Sequence, residues 1–192
     1  MTLRGPPPTL HVALHKALHK ALHEALNHCF DSHLKENQSV ERTLVLIKPD
    51  AVQRGMIGLI AGRFESKGLK VAGLKMMQLT DGILNEHYAH LSDKPFFPRI
   101  KSFMQETPVV ALCLEGVGAV DVVRSLCGVT NARQAAPGTI RGDLGMSVQC
   151  NLVHASDSLE TARDEVPRFF SGDELFTYAK AEDAVVYASD ER

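Results

Sequence analysis

Arg42-Thr-Leu-Val-Leu-Ile-Lys48, closed by Pro49, is an aliphatic, β-branched run that ends at a residue unable to donate to a ladder. It reads as a buried strand. Working outward from it, Ile57 to Ser66 places apolar residues at helical spacing and stops at Gly68, which predicts a helix. Lys70 to Leu79 reads as a second strand. Asp81 to Tyr88 reads as a short helix capped by Asp81, and Pro95 to Met104 as another that starts in a Pro-Phe-Phe-Pro turn. Val109 to Leu114 is a third strand and Ala119 to Leu126 a helix. Gly128 to Gly142, rich in Gly, Pro, Asn and Thr, reads as a long loop, and loops of that length are more often functional than idle. Leu152 to His154 is a short fourth strand, followed by a helix from Ser158 to Phe170 with Asp157 or Ser158 as its cap. The order strand, helix, strand, strand, helix, strand predicts an α+β fold. It is a ferredoxin-like, four-stranded antiparallel sheet with helices packed on one face.

Residues 1–40 have another texture. After Gly5-Pro6-Pro7-Pro8, the units Ala13-Leu-His-Lys16, Ala17-Leu-His-Lys20 and Ala21-Leu-His-Glu24 repeat. A period of four sets a leucine stripe beside a histidine stripe on a helix. Three readings stand side by side: an organelle-targeting helix, a histidine clamp for a transition metal, and a low-complexity helical or disordered extension. Residues 41–192 carry the ordinary texture of one globular domain.

The 192 residues are 44% hydrophobic with a net charge of −2, so neither a basic excess for nucleic acid nor an acidic excess for disorder is present. No run reaches a membrane-spanning length. Cys29, Cys113, Cys127 and Cys150 form no CxxC pair and read as reduced thiols of a cytoplasmic protein. Glu65, Lys67 and Lys70 read as a solvated edge.

Three segments carry candidate chemistry. In Asn151-Leu-Val-His-Ala-Ser-Asp-Ser158, a histidine ends a short strand just before a helix cap, where an unprotonated imidazole could attack phosphorus. The plain alternative is a surface histidine beside a cap. In Pro137-Gly-Thr-Ile-Arg-Gly-Asp143, an arginine in a Gly-rich loop suits a phosphate, or else pairs with Asp143 across a turn. Lys48 ends the first strand and sets an ammonium at the sheet edge, where it is either a phosphate ligand or an ordinary terminal lysine. No Walker-type or protein-kinase glycine loop is present.

These segments, with Thr43-Leu-Val-Leu-Ile-Lys-Pro-Asp-Ala-Val-Gln-Arg-Gly55 and Lys94-Pro-Phe-Phe-Pro98, resemble the nucleoside diphosphate kinase family from about Glu41 to Tyr187. The resemblance implies a phosphotransferase that moves the γ-phosphate of ATP or another nucleoside triphosphate to a diphosphate by a ping-pong route, through a phosphohistidine on Nδ1 of His154. It implies that Glu165 and Ser156 hold that imidazole and that Tyr88 lies beside it. Lys48, Arg124, Thr130 and Arg141 become phosphate ligands, Asn151 a ribose contact and Phe96 the ring on which any base stacks. Mg²⁺ is implied through the nucleotide phosphates, with Asp157 as the acidic residue near it. The partners implied are nucleotides and further copies of the chain. A longer tail from Leu175 to Tyr187, packing on a neighbouring subunit, points to a hexamer. The sequence departs from the family pattern at Gln149-Cys150, where Gly-Arg is usual, at Ala155 for Gly, and at Ala132 for Pro.

Overall fold

The computed structural model describes residue 20, residues 40–189 and residue 191, so the N-terminal extension expected over residues 1–40 lies almost wholly outside the described residues. Val40–Arg192 forms a unit by itself. Its elements run β1 (Val40–Ile47), α1 (Pro49–Gln53), α2 (Ile57–Ser66), β2 (Lys70–Met77), α3 (Asp81–His87), α4 (Phe97–Met104), β3 (Val109–Val117) and α5 (Ala119–Cys127). They continue with α6 (Ile140–Leu144), β4 (Val153–Ala155), α7 (Leu159–Phe169) and α8 (Asp183–Val186). Among the described residues no helix is long and apolar enough to cross a membrane.

The four strands form one antiparallel sheet in the order β2-β3-β1-β4, the ferredoxin-like plan. The helices do not keep to one face, as the sequence reading expected. Leu44 and Leu46 pack with Leu84, Phe103, Val166 and Phe169 of α3, α4 and α7. Val45 and Ile47 pack on the opposite side with Ile60, Phe64, Val123 and Ile140 of α2, α5 and α6. All four strand residues are fully buried. That is why the run is continuously aliphatic rather than alternating: a central strand covered on both faces has no polar side. Each of these side chains contributes about 1.5–3 kcal/mol of burial.

Register then places the chemistry. Leu46 pairs with His154, and cross-strand partners share a face. His154 therefore stands on the side covered by α3, α4 and α7. Lys48 continues the same alternation one step past the strand.

Local corrections have local causes. The cap of α3 is Thr80, whose Oγ1 accepts the Ile83 amide, while Asp81 pairs with Lys101 at 2.8 Å. Ser158, not Asp157, caps α7 by accepting the Thr161 amide at 3.1 Å. The stretch 128–142 is no plain loop: it holds a 3₁₀ turn at Ala132–Gln134, and α6 begins in it. Asn131 and Thr139 cap these two pieces. Gly142 is obligatory there, because a Cβ would fall 2.0 Å from the Ala136 carbonyl oxygen. Lys70 is buried rather than solvated. It pairs with Glu115, donates to the Tyr178 carbonyl at 3.0 Å and lies under the Tyr178 ring. Tyr178 belongs to the tail, which folds back on its own β2: Phe176 donates to Ala72 at 2.8 Å and Tyr178 to the Val71 carbonyl at 3.0 Å.

Candidate active site

A cavity of about 710 Å³ opens at the end of β1 and β4. His154, Tyr88, Lys48, Phe96, Arg124, Thr130, Arg141, Asn151 and Asp157 all line it. Residues 48 to 157 of the chain thus converge on one pocket. Glu165 and Ser156 stand behind His154, buried at 5% and 0% exposure.

The imidazole is held from behind. Its Nε2 lies 3.2 and 3.3 Å from the two Glu165 oxygens, and Ser156 Oγ donates to Glu165 Oε2 at 2.6 Å. Ser156 is itself pinned to the sheet, accepting the Leu44 amide on Oγ and donating its own amide to the Leu44 carbonyl. Burial alone would raise the Glu165 carboxyl. Hydrogen bonds from His154 and Ser156, with the neighbouring imidazole charges, outweigh it and hold the group below the usual carboxylate range. A proton kept on Nε2 by this carboxylate leaves the Nδ1 lone pair for chemistry. The Tyr88 ring meets His154 edge-on at 6.3 Å, and burial pushes its phenol upward.

The sequence reading missed His87, which touches this group most closely. It is 1% exposed at its side chain, lies edge-on to His154 at 4.5 Å and brings Nδ1 to 3.5 Å from Glu165 Oε1. Burial, then the charge of His154, push its pKa down to about 3, so the ring is neutral in ordinary buffers. Its only signal in the sequence was adjacency to Tyr88, in a helix that gave no reason to bury an imidazole. His87, His154 and Glu165 are also the one group among the described residues whose nitrogen and oxygen atoms cluster closely enough to hold a metal.

The cations divide into two kinds. Lys48 is buried, donates to Asn151 Oδ1 and the Gln149 carbonyl at 2.7 Å each, and rests over the Phe103 ring. Burial, with Arg141 nearby, lowers its ammonium to about 8 despite Asp50 and Cys150. Arg141 does not pair with Asp143, which is taken by Arg63. It donates to the Gly128 and Val153 carbonyls at 2.7 Å each, and to the Asn151 carbonyl at 3.3 Å. It therefore ties α6 to the strand carrying His154 while its remaining donors stay available to an anion. Arg124 lies at the mouth, paired with Asp157. Asn151 joins the two sides, donating to the Thr130 carbonyl at 2.8 Å. Phe96 is 46% exposed at the N-terminus of α4, an uncovered ring at the pocket entrance. Arg99 adds a further cation to the lining that the sequence reading did not single out.

One backbone feature interrupts the site. Leu152, between Asn151 and His154, has φ 74°, the left-handed region, and is the one non-glycine residue so placed among the described residues. Such a conformation costs about 1–3 kcal/mol and persists only where neighbours hold it.

Comparison with known proteins is consistent along the whole unit. The family profile described as nucleoside diphosphate kinase matches residues 41–175. A nucleoside diphosphate kinase of Parabacteroides distasonis is 60% identical over 152 residues, covering 79% of this chain and 99% of that one. One of Pyrococcus horikoshii is 51% identical, covering 74% and 93%. Among solved structures, a halophilic nucleoside diphosphate kinase from Halobacterium salinarum in complex with CDP superposes with a TM-score of 0.76 at 46% identity, covering 78% of this chain and all of that one. A transition state mimic of the Borrelia burgdorferi enzyme, with bound vanadate and ADP, gives 0.71 at 33% identity, covering 75% and 95%.

Proposed function

This chain belongs to the nucleoside diphosphate kinase family, and from that premise we propose that His154 is the residue that carries the phosphoryl group between nucleotides. The enzyme transfers the terminal phosphate of a nucleoside triphosphate to a nucleoside diphosphate. In the first half-reaction the Nδ1 lone pair of His154 attacks the γ-phosphorus, the bond to the β–γ bridging oxygen breaks, and the diphosphate leaves. In the second, a terminal oxygen of another diphosphate attacks the same phosphorus and the N–P bond breaks. One observation carries the reading: the Glu165 carboxylate engages Nε2, so the other ring nitrogen of a cavity-lining histidine is left to react.

The remaining roles follow from the lining. Lys48, Arg99, Arg124 and Arg141 set four cations against a polyphosphate, and positioned charge of this kind supplies most of the catalysis in phosphoryl transfer. Thr130 and Asn151 offer polar contacts, with Asn151 toward the ribose. Phe96 offers a ring face, which accepts any base. The lining contains one carboxylate, that of Asp157, already paired with Arg124. This donor set suits Mg²⁺ held mainly by phosphate and water, with Asp157 its one acidic neighbour. When bound, the ion would supply positive charge to offset that of the nucleotide phosphates.

The test is to incubate the full chain with γ-labelled ATP and no acceptor. Label should appear on protein, survive base, be lost in acid, and depart when GDP is added. Acid-stable label, or label that GDP leaves in place, would refute a phosphohistidine intermediate.

We further infer a cytoplasmic homo-oligomer, a hexamer, built from the domain at residues 41–192, with residues 1–40 as an extension. Exposed Leu74 and Met76 on the edge strand β2, and exposed Met146 and Val148 near the 128–150 segment, support association, since an apolar open edge calls for cover. Ala132 is buried and opens the 3₁₀ turn, a first position that tolerates proline. Ala132→Pro should raise the urea midpoint of subunit dissociation by stiffening the segment, an effect of about 0.4–1 kcal/mol. Equal midpoints for the two proteins would remove this segment from the account of assembly.

A further inference from the structure

Asp50 sits in the first turn of α1, two residues after Lys48, yet it bonds to a residue about a hundred positions away. Its Oδ2 accepts the amide of Leu152 at 3.0 Å. The carbonyl of the same Leu152 accepts the Lys48 amide at 2.8 Å. Both peptide groups of the left-handed residue are thus gripped by the short segment 48–50. The grip continues through side chains, because the Lys48 ammonium holds the Gln149 carbonyl and Asn151 Oδ1 on the near side of the bend. On the far side the chain enters β4 and reaches His154 two residues later. The bend at Leu152 therefore sets the angle between Asn151 and His154. Leu152 itself is fully buried, so the bend cannot be a relaxed surface turn. The other oxygen of Asp50, Oδ1, is buried with no hydrogen-bond partner. Burying a carboxylate oxygen without a hydrogen-bond partner is costly. The residue makes physical sense as a fixed acceptor for one strained amide.

We propose that Asp50 is a positioning residue for phosphoryl transfer: by accepting the Leu152 amide it holds the left-handed bend that aims Asn151 and His154 into one pocket. The inference rests on the reading of His154 as the phosphorylated residue.

Substitutions separate placement of the oxygen from its charge. Asp50→Asn keeps an acceptor at the same reach and removes the charge. Asp50→Glu keeps the charge and moves the oxygens by one methylene. Single-turnover formation of acid-labile label from saturating γ-labelled ATP is measured at pH 6.5, where the Lys48 ammonium is protonated, and expressed per folded molecule from thermal melts. Asp50→Asn should react within about threefold of the unmodified chain, and Asp50→Glu about 10- to 100-fold more slowly, the scale on which a misplacement of about 1 Å acts. Equal rates for Asp50→Glu and the unmodified chain, or an Asp50→Asn variant as slow as Asp50→Glu, would overturn the proposal. A purely structural role would lower the melting temperatures and leave the rate per folded molecule unchanged, which also counts against it. His154→Ala run in parallel reports on the underlying reading: label surviving in that variant defeats the phosphohistidine assignment, whatever the Asp50 variants do.

Discussion

His154→Ala should abolish transfer of label from γ-labelled ATP to the protein, and with it the overall exchange between nucleotides. The expected size follows from the route. In a ping-pong reaction the imidazole is the bond-forming partner in both halves, so no residual pathway through the same intermediate survives its removal. The fold should tolerate the change. His154 lies in a three-residue edge strand, is partly exposed at 21% of its side chain, and among the described residues its side chain hydrogen-bonds only to Glu165. The structure also answers an obvious objection, that the neighbouring imidazole could take over. His87 is neutral and nucleophilic in principle, but its side chain is 1% exposed and sits outside the cavity lining, behind His154. Tryptic mapping of labelled protein should therefore place the phosphate on the peptide containing residue 154 and on none containing residue 87. Label on His87 in the unmodified chain would show that the cavity opens differently from the way its walls suggest.

Lys48→Met should lower kcat/KM by about 10²–10³-fold, the range found when one preorganised donor is removed from a developing anion. Methionine keeps most of the apolar stem and removes the ammonium, whose Nζ lies over the Phe103 ring, so the loss would report the charged head and its contacts. The same group makes a pH prediction. Its ammonium is lowered to about 8, chiefly by burial. The protonated form binds phosphate, so the Lys48 contribution is fully present well below that value and is lost as pH rises through it. The limb belongs in kcat/KM, which reports the free enzyme. A bound polyphosphate would raise the lysine pKa and move the limb in kcat upward. A profile flat from pH 7 to 10 would mean that another cation, Arg124 or Arg141, carries the charge that Lys48 is assigned here.

The cations that line the pocket differ in kind. Arg141 braces three carbonyls and Lys48 braces a carbonyl and an amide oxygen, so each holds the pocket open before any nucleotide arrives. Preorganisation of this kind spares reorganisation at the moment of reaction. Arg124 is looser: it is exposed, and its partner is the still more exposed Asp157.

The sequence alone determined the four strands and the five longer helices, but not α1, α6 or α8, because the longer elements carry local signals. A continuous aliphatic run, helical spacing and a few caps are read within a dozen residues. It also determined the His154 octapeptide and the Lys48 and Arg141 motifs, whose order along the chain carries the family resemblance. Only the tertiary structure decided what those residues touch. The pairing of Leu46 with His154 turned the imidazole toward α7 and against the buried Glu165, which the family resemblance had named but no local signal had marked. The same packing buried His87 against it, closed the tail over Lys70, covered the sheet on both faces, and bent the chain at Leu152 under the hold of Asp50. These contacts join residues 11 to more than 100 positions apart. Their energies depend on burial and angle, neither of which is written in any short stretch of chain.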